Sequence, residues 1–259
     1  VDNQAKIEAV DYLEAEGVSK LIADYIDTAS DQDAFDTVRG GRITPFDPEP
    51  VDLARLHKMI RARKCFTVLE FGVGFSTIVM ADALKKNKEE WAQLEKKPDI
   101  RNRFMFDLFS VDASAHWIER SRRRFPTNLI DYVTFLRSSV HIGRFNGQIC
   151  HYYDTLPDIV PDFIYLDGPN PKDVQGEING LSFQCDERTV MAADILLMES
   201  TLLPGTCIVI DGRTNNARFL ERNLSRNYSV SWDPEGDVTI MELQEKRLGP
   251  FNLLGCDFF

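Results

Sequence analysis

No apolar run in the chain approaches the ~18 uninterrupted residues that a membrane-spanning helix requires, and Val1 to Asp11 is polar and acidic, unlike a secretory leader. Cysteine is sparse and unpatterned: Cys65, Cys150, Cys185, Cys207 and Cys256 are odd in number and never spaced as Cys-x-x-Cys. That argues against a disulfide framework and a zinc site, and a reducing, cytoplasmic setting is expected. Positive charge is also short, the formal net charge being −11. The basic clusters Arg61-Ala-Arg63-Lys64 and Arg120-Ser-Arg-Arg-Arg124 fall where helices are expected to end, so they complement helix dipoles instead of forming a nucleic-acid stripe. Neither a nucleic acid nor a membrane is therefore an expected partner. No tyrosine is followed four residues on by lysine, so the Tyr-x-x-x-Lys pair of many nicotinamide-dependent oxidoreductases is missing. There is no internal repeat and no low-complexity tract.

What is present is enough apolar material for one sizeable core: 43% of 259 residues are hydrophobic. Residues 3 to 30 repeat apolar positions at helical spacing (Ile7, Val10, Leu13, then Leu21, Ile22, Tyr25, Ile26), with Gly17 as a break. A polar Gly- and Pro-containing loop follows from Thr28 to Pro50, and a helix after it ends at the first basic cluster. From Phe66 the pattern alternates. Buried-strand candidates at Phe66–Phe71, Phe109–Asp112, Val133–Arg137, Phe163–Asp167 and Cys207–Asp211 are separated by helical stretches at Ser76–Leu84, His116–Phe125 and Glu187–Leu202. The charged segment Lys85–Arg103 reads as an inserted helical excursion on the surface. Asn146-Gly147 inside Val140–Tyr153 predicts a type I′ hairpin, and Tyr228–Trp232 with Asp237–Leu243 predicts a second one.

Alternating strands and helices specify an α/β fold: a Rossmann-like, doubly wound, mostly parallel sheet with a C-terminal antiparallel hairpin, an N-terminal helical segment and an inserted β-hairpin. Three segments are expected: 1–64, helices and a loop that could cover a site; 65–243, the nucleotide-binding domain, with the hairpin at about 140–153; and 244–259, a tail. The apolar end, Gly249–Phe259, could either dock on the domain or drive homo-oligomer formation.

The deciding segment is Thr67-Val-Leu-Glu70-Phe-Gly72-Val-Gly74-Phe-Ser76-Thr77. A strand runs into a glycine turn that opens a helix, so the backbone can approach a ligand and helix N–H groups face it. Thr77 occupies the place where a dinucleotide fingerprint requires Gly or Ala. Glu70 would repel a pyrophosphate and suits a cationic ligand. Glu-x-Gly-x-Gly-x-Ser resembles motif I of the class I S-adenosylmethionine-dependent methyltransferases. Over Phe66–Leu243 the order of strand ends is similar to the catechol-type and sugar-modifying O-methyltransferases in particular.

That resemblance implies cofactor contacts from Glu70, Gly72, Gly74, Ser76, Asp112, Ser138, Ser139 and Asp167. Asp112 ends the second strand, where it could take both ribose hydroxyls. It follows Gly74 by 38 residues, against about 20 in the dinucleotide pattern, and a helix N-cap would explain it too. Ser138 and Ser139 stand at the adenine corner. Asp167 and Asp211 are the residues that would hold Mg²⁺ in a metal-dependent member, although Gly212 stands where that pattern has Asn; Asn215 and Asn216 are further candidates. An oxygen acceptor needs a base or a metal, and Asp167, His141 and His151 are the catalytic candidates. Arg213 and Arg42 could hold the acceptor, with Arg39–Pro45 as a lid; a surface ion pair and an ordinary connector explain them equally. The expected function is methyl transfer from S-adenosylmethionine to a small molecule, at oxygen of a polar metabolite or sugar. The alternatives are an NAD(P)-linked oxidoreductase or epimerase and a non-catalytic nucleoside-binding module.

Overall fold

The computed structural model describes residues 3–26, 35–36, 41–42 and 47–259, the two short pieces by their backbone only. Helices α1 (Asn3–Ala15) and α2 (Val18–Ile26) lead to a two-residue pair, β1 (Phe35–Asp36) with β2 (Gly41–Arg42), and then to α3 (Pro50–Arg63). The break at Gly17 has φ +75°, a left-handed turn that glycine adopts without strain. Lys64 ends α3 in the left-handed conformation, and Arg61 and Arg63 lie in its last turn as the dipole favours. The elements that follow are β3 (Thr67–Phe71), α4 (Phe75–Ala92), β4 (Asp107–Asp112), α5 (Ala115–Arg124), β5 (Val133–Arg137), β6 (Val140–Phe145), β7 (Gln148–Tyr153) and β8 (Phe163–Leu166). The chain continues with β9 (Val174–Gln175), α6 (Asp194–Met198), β10 (Cys207–Asp211), α7 (Thr214–Asn223), β11 (Tyr228–Asp233) and β12 (Val238–Leu243).

Seven strands form one sheet in the order β11-β12-β10-β8-β3-β4-β5. The five from β10 to β5 are parallel, and β12 runs antiparallel to both β10 and β11. Between β4 and β8 the order reverses direction around β3, which puts the switch point at the carboxyl ends of β3 and β8. The side-chain period of two divides the core: Val68 packs with α3 and α4 residues such as Ile60 and Ile78, while Leu69 and Phe71 pack on the opposite face with Val140, Tyr153 and Ala217. Both faces are covered, which is why these strands read as continuous apolar runs.

The Asn146-Gly147 turn has φ +47° and +77° and closes the β6–β7 hairpin in the register Phe145↔Gln148. Short β9 joins it, making a separate three-stranded sheet over the main one. Two expectations are corrected. Glu187–Leu202 is helical only over Asp194–Met198 and a following 3-10 turn. Upstream, the backbone is claimed by β7 and α7: His151 N–H donates to Met191 C=O, Ala193 N–H donates to His151 C=O, and Asn216 bonds both N–H and C=O of Ala192. Nor is Lys85–Arg103 an excursion. Its first part continues α4, and there Asn87 is buried, bonding the carbonyls of Ile60 and Cys65. The C-terminal tail docks on the domain, with Phe258 and Phe259 against Trp91 at 6.0 and 5.9 Å between ring centroids. No described helix is long and apolar enough to cross a membrane.

Candidate functional site

The glycine turn after β3 is wedged against the turn after β8. Gly72 has φ +105°, and a Cβ on it would lie 3.1 Å from Gly168 N; a Cβ on Gly168 would lie 2.7 Å from Gly72 N. Neither position accepts a side chain, so two strand ends approach closely at the switch point. Gly72 N–H donates to Val111 C=O (2.8 Å) and Asp167 N–H to Phe71 C=O (3.0 Å), which extends the ladder into the crevice.

Glu70 is fully buried beneath this loop. Its carboxylate accepts the Ser76 hydroxyl (2.5 Å) and the Thr77 hydroxyl (2.7 Å), and Thr77 Oγ1 in turn accepts Gly74 N–H (3.1 Å), the N3-to-N-cap half of a capping box at the start of α4. Burial pushes the Glu70 carboxyl up to about 7, against the pull of Ser110, Ser76 and Thr77 hydroxyls and with a further push from Asp167. Glu70 therefore shapes the loop from below. Thr77, which the sequence offered only as a departure from a dinucleotide loop, is the residue that joins Glu70 to the N-cap.

Asp112 Oδ2 accepts Val73 N–H (3.1 Å) and Oδ1 accepts Ser114 N–H (2.6 Å). The N-cap of α5 is Ser114, whose Oγ accepts Trp117 N–H, so helix capping does not explain Asp112. These bonds tie the glycine loop to the end of β4. Ser138 is buried, its Oγ accepting Thr155 N–H (2.8 Å); Ser139 C=O accepts Asp154 N–H (2.9 Å). This corner anchors the base of the inserted hairpin. There His141 Nδ1 meets Asp154 Oδ1 at 2.7 Å in an exposed pair, with 46% of the imidazole open to solvent.

Asp167 projects into the crevice with 55% of its side chain exposed. Surrounding protein pushes its carboxyl up to about 7; Arg213 opposes this, and the carboxylates of Asp211, Asp52 and Asp112 add to it. Arg213, only 17% exposed, is not a free surface cation. It donates to the carbonyls of Asp167 and Pro169, bracing the turn, and lies 3.7 Å from Asp167 Oδ1. His151 is wholly buried against Phe183, and burial, reinforced by Arg213, pulls it down to about 3, so its ring is neutral. The backbone of Arg42, in β2, pairs with that of Phe35 in β1, but its side chain and most of Arg39–Pro45 lie outside the described residues.

The two residues of the expected metal pair already have partners within the protein. Tyr165 donates its hydroxyl to Asp211 Oδ2 (2.6 Å), Arg213 already sets a cation beside Asp167, and Asn216 is spent on Ala192. Among the described residues no three His, Cys, Asp or Glu side chains gather in one group. A cavity of about 520 Å³ lies instead at the amino ends of the strands, between Phe66, Asp162 and the tail residues Phe251 and Leu254, away from every residue above.

No family model matches the chain, and no curated protein does. Solved structures with a similar course include the O-methyltransferase TomG of Streptomyces achromogenes in complex with SAM (14% identity, 93% of this chain and 98% of that one, TM-score 0.42). Two others are the SAH-bound methyltransferase PaMTH1 of Podospora anserina (14%, 92% and 96%, 0.49) and an RNA methyltransferase of Salinibacter ruber (15%, 81% and 100%, 0.37). At these scores they carry no statement about activity, which is read from the chain's own residues.

Proposed function

We propose that the chain binds S-adenosylmethionine in the crevice at the switch point and transfers its methyl group to a hydroxyl of a small polar acceptor. The observation that carries this is the charge of the crevice. Glu70, Asp112 and Asp167 lie close enough that Asp167 raises Glu70 and Asp112 raises Asp167. A glycine turn ringed by carboxylates disfavours a pyrophosphate and favours a ligand with a sulfonium and an ammonium. The sheet order supports the same reading against a dinucleotide enzyme, because the place of a sixth parallel strand beside β10 is taken by antiparallel β12.

In this reading Asp112, at the end of β4, accepts the ribose hydroxyls. Gly72 and Gly74 bring the backbone against the amino-acid moiety, Ser76 and Glu70 hold that loop, and the Ser138–Ser139 corner bounds the adenine. The acceptor oxygen attacks the methyl carbon in line. A carbon–oxygen bond forms, the carbon–sulfur bond breaks, its electron pair stays on sulfur as a neutral thioether, and the acceptor proton passes to Asp167. A carboxyl poised near neutrality suits that task. The donor is already activated, so the protein's main contribution is alignment.

Calorimetric titration with S-adenosylmethionine, S-adenosylhomocysteine and NAD tests this. Binding of both sulfur nucleosides and none of NAD is expected; binding of NAD alone would overturn it.

A further inference from the structure

The cavity of about 520 Å³ at the amino ends of the strands has a size typical of small-ligand sites, roughly 300–1,000 Å³. Its outer wall is the tail segment Phe251–Leu254, and that wall is held at both ends. At one end Arg101 N–H donates to Phe251 C=O (3.0 Å). At the other, Gly255 lies so close on the Lys64 carbonyl that no Cβ fits there. Leu254 N–H also donates to Asp257 Oδ2 (2.9 Å), and Asp257 is paired with Arg247. Protein interiors ordinarily close over gaps as large as this. An apolar tail pinned on either side of the hollow, and not collapsed onto Phe66 and Ile159, makes a built site.

The lining says what would enter. Phe66, Ile100, Phe104, Ile159, Leu203 and Leu254 make it mostly apolar, and at its mouth Phe251 and Val160 leave 47% and 42% of their surface open to solvent. Most of its polar groups are already spent. Both oxygens of Asp162 accept backbone N–H groups, from Phe66 (2.8 Å) and Thr67 (3.1 Å). Asp158 is paired with Arg103 at 3.0 Å, and that guanidinium also lies over the Phe104 ring. Asn102 donates to Thr67 Oγ1 and accepts Phe104 N–H. The guanidinium of Arg101 differs: among the described residues it has no ion pair and no hydrogen bond, and it lines the same cavity. An apolar space with engaged carboxylates and one unengaged cation is complementary to a molecule with an apolar body and a single negative charge.

We propose that this cavity binds an apolar monocarboxylate, its body against Phe66, Phe104 and Leu254 and its carboxylate on Arg101. The site is separate from the crevice. Phe66 precedes β3 and Gly72 follows it, so the two lie about 20 Å apart along the strand. The proposal does not depend on the methyl-transfer reading.

Calorimetric titration of the full chain with octanoate, 1-octanol and octylammonium tests it. Octanoate is expected to bind one per chain, octanol about tenfold more weakly and octylammonium more weakly still. Arg101 is exposed, so Arg101→Gln should fold as the parent does; it is expected to lower octanoate affinity about tenfold and leave octanol unchanged. Val160→Trp, which narrows the mouth, is expected to weaken both. Saturation with S-adenosylhomocysteine should change none of these values. No octanoate binding, octylammonium binding as tightly as octanoate, or octanoate affinity untouched by either substitution overturns the site. Displacement of octanoate by the nucleoside would place it in the crevice and overturn the site equally.

Discussion

The glycine loop and the floor beneath the inserted hairpin meet at Phe71, whose ring stacks on that of Tyr153, and they treat their polar atoms in opposite ways. In the loop every side-chain oxygen that shapes the turn has a partner: Glu70 is held by Ser76 and Thr77, Thr77 by Gly74, and Asp112 by Val73 and Ser114. On the floor, His151, Tyr153, Asp194 and Arg213 each keep a buried atom without one. A completed network fixes backbone in place; an uncompleted one carries a cost in stability. The first region is therefore the more tightly fixed of the two.

The contrast can be broken in several ways. The largest effect is expected at the junction of the two regions. Asp167→Asn should lower kcat by about 10²–10⁴-fold while nucleoside affinity changes far less, and the wild-type rate should rise with pH through the neutral range as Asp167, pushed up to about 7, loses its proton. Equal losses in affinity and rate would place Asp167 in binding alone. Thr77→Val removes a hydroxyl that both donates and accepts, so urea unfolding should show a loss of about 1–3 kcal/mol. Tyr153→Phe removes an unpartnered hydroxyl and should be neutral or stabilising by up to about 1 kcal/mol. If the two substitutions cost the same, the distinction between the regions fails.

Asp194→Asn sharpens the same point through pH. Burial raises the Asp194 carboxyl to about 7, above its unfolded value, so the native state holds a proton that the unfolded chain releases. That contribution to stability is complete below the unfolded pKa and is lost as pH rises through about 7. Asparagine keeps an acceptor for Tyr153 N–H and has no charge to bury. It should stabilise by on the order of 2 kcal/mol near pH 8 and by little near pH 5. The smallest effect is expected for His141→Ala: an exposed pair contributes about 0–1 kcal/mol, and the rate should not change. A large fall in rate would bring His141 into the chemistry.

The parallel strands were legible because burial on both faces leaves uninterrupted apolar runs, and the β6–β7 turn because Asn146-Gly147 meets the backbone demand of a two-residue hairpin. The acidic strand ends were legible for the same reason, Asp112, Asp167 and Asp211 each closing an apolar run. Glu187–Leu202 misled because its composition permits helix while its hydrogen bonds go to β7 and Asn216, partners far away in sequence. Thr77 showed only as a deviation, since its role exists through Glu70 and Gly74 together. The nearness of Tyr153 and Asp194 was not legible: they are joined by the fold of the hairpin over Phe71, and an unpartnered atom has no signature in a sequence. Arg213 was noticed, but its hold on the Asp167–Pro169 turn follows from the close approach of β8 and β10 ends.

The central claim is that a sulfur nucleoside lies across the switch point. A crystal structure of the full chain with S-adenosylhomocysteine tests it most directly. The ribose hydroxyls should rest on Asp112 and the thioether should face Asp167. A nucleoside seated in the cavity beside Phe251, or a crevice left empty at saturating ligand, would contradict the account.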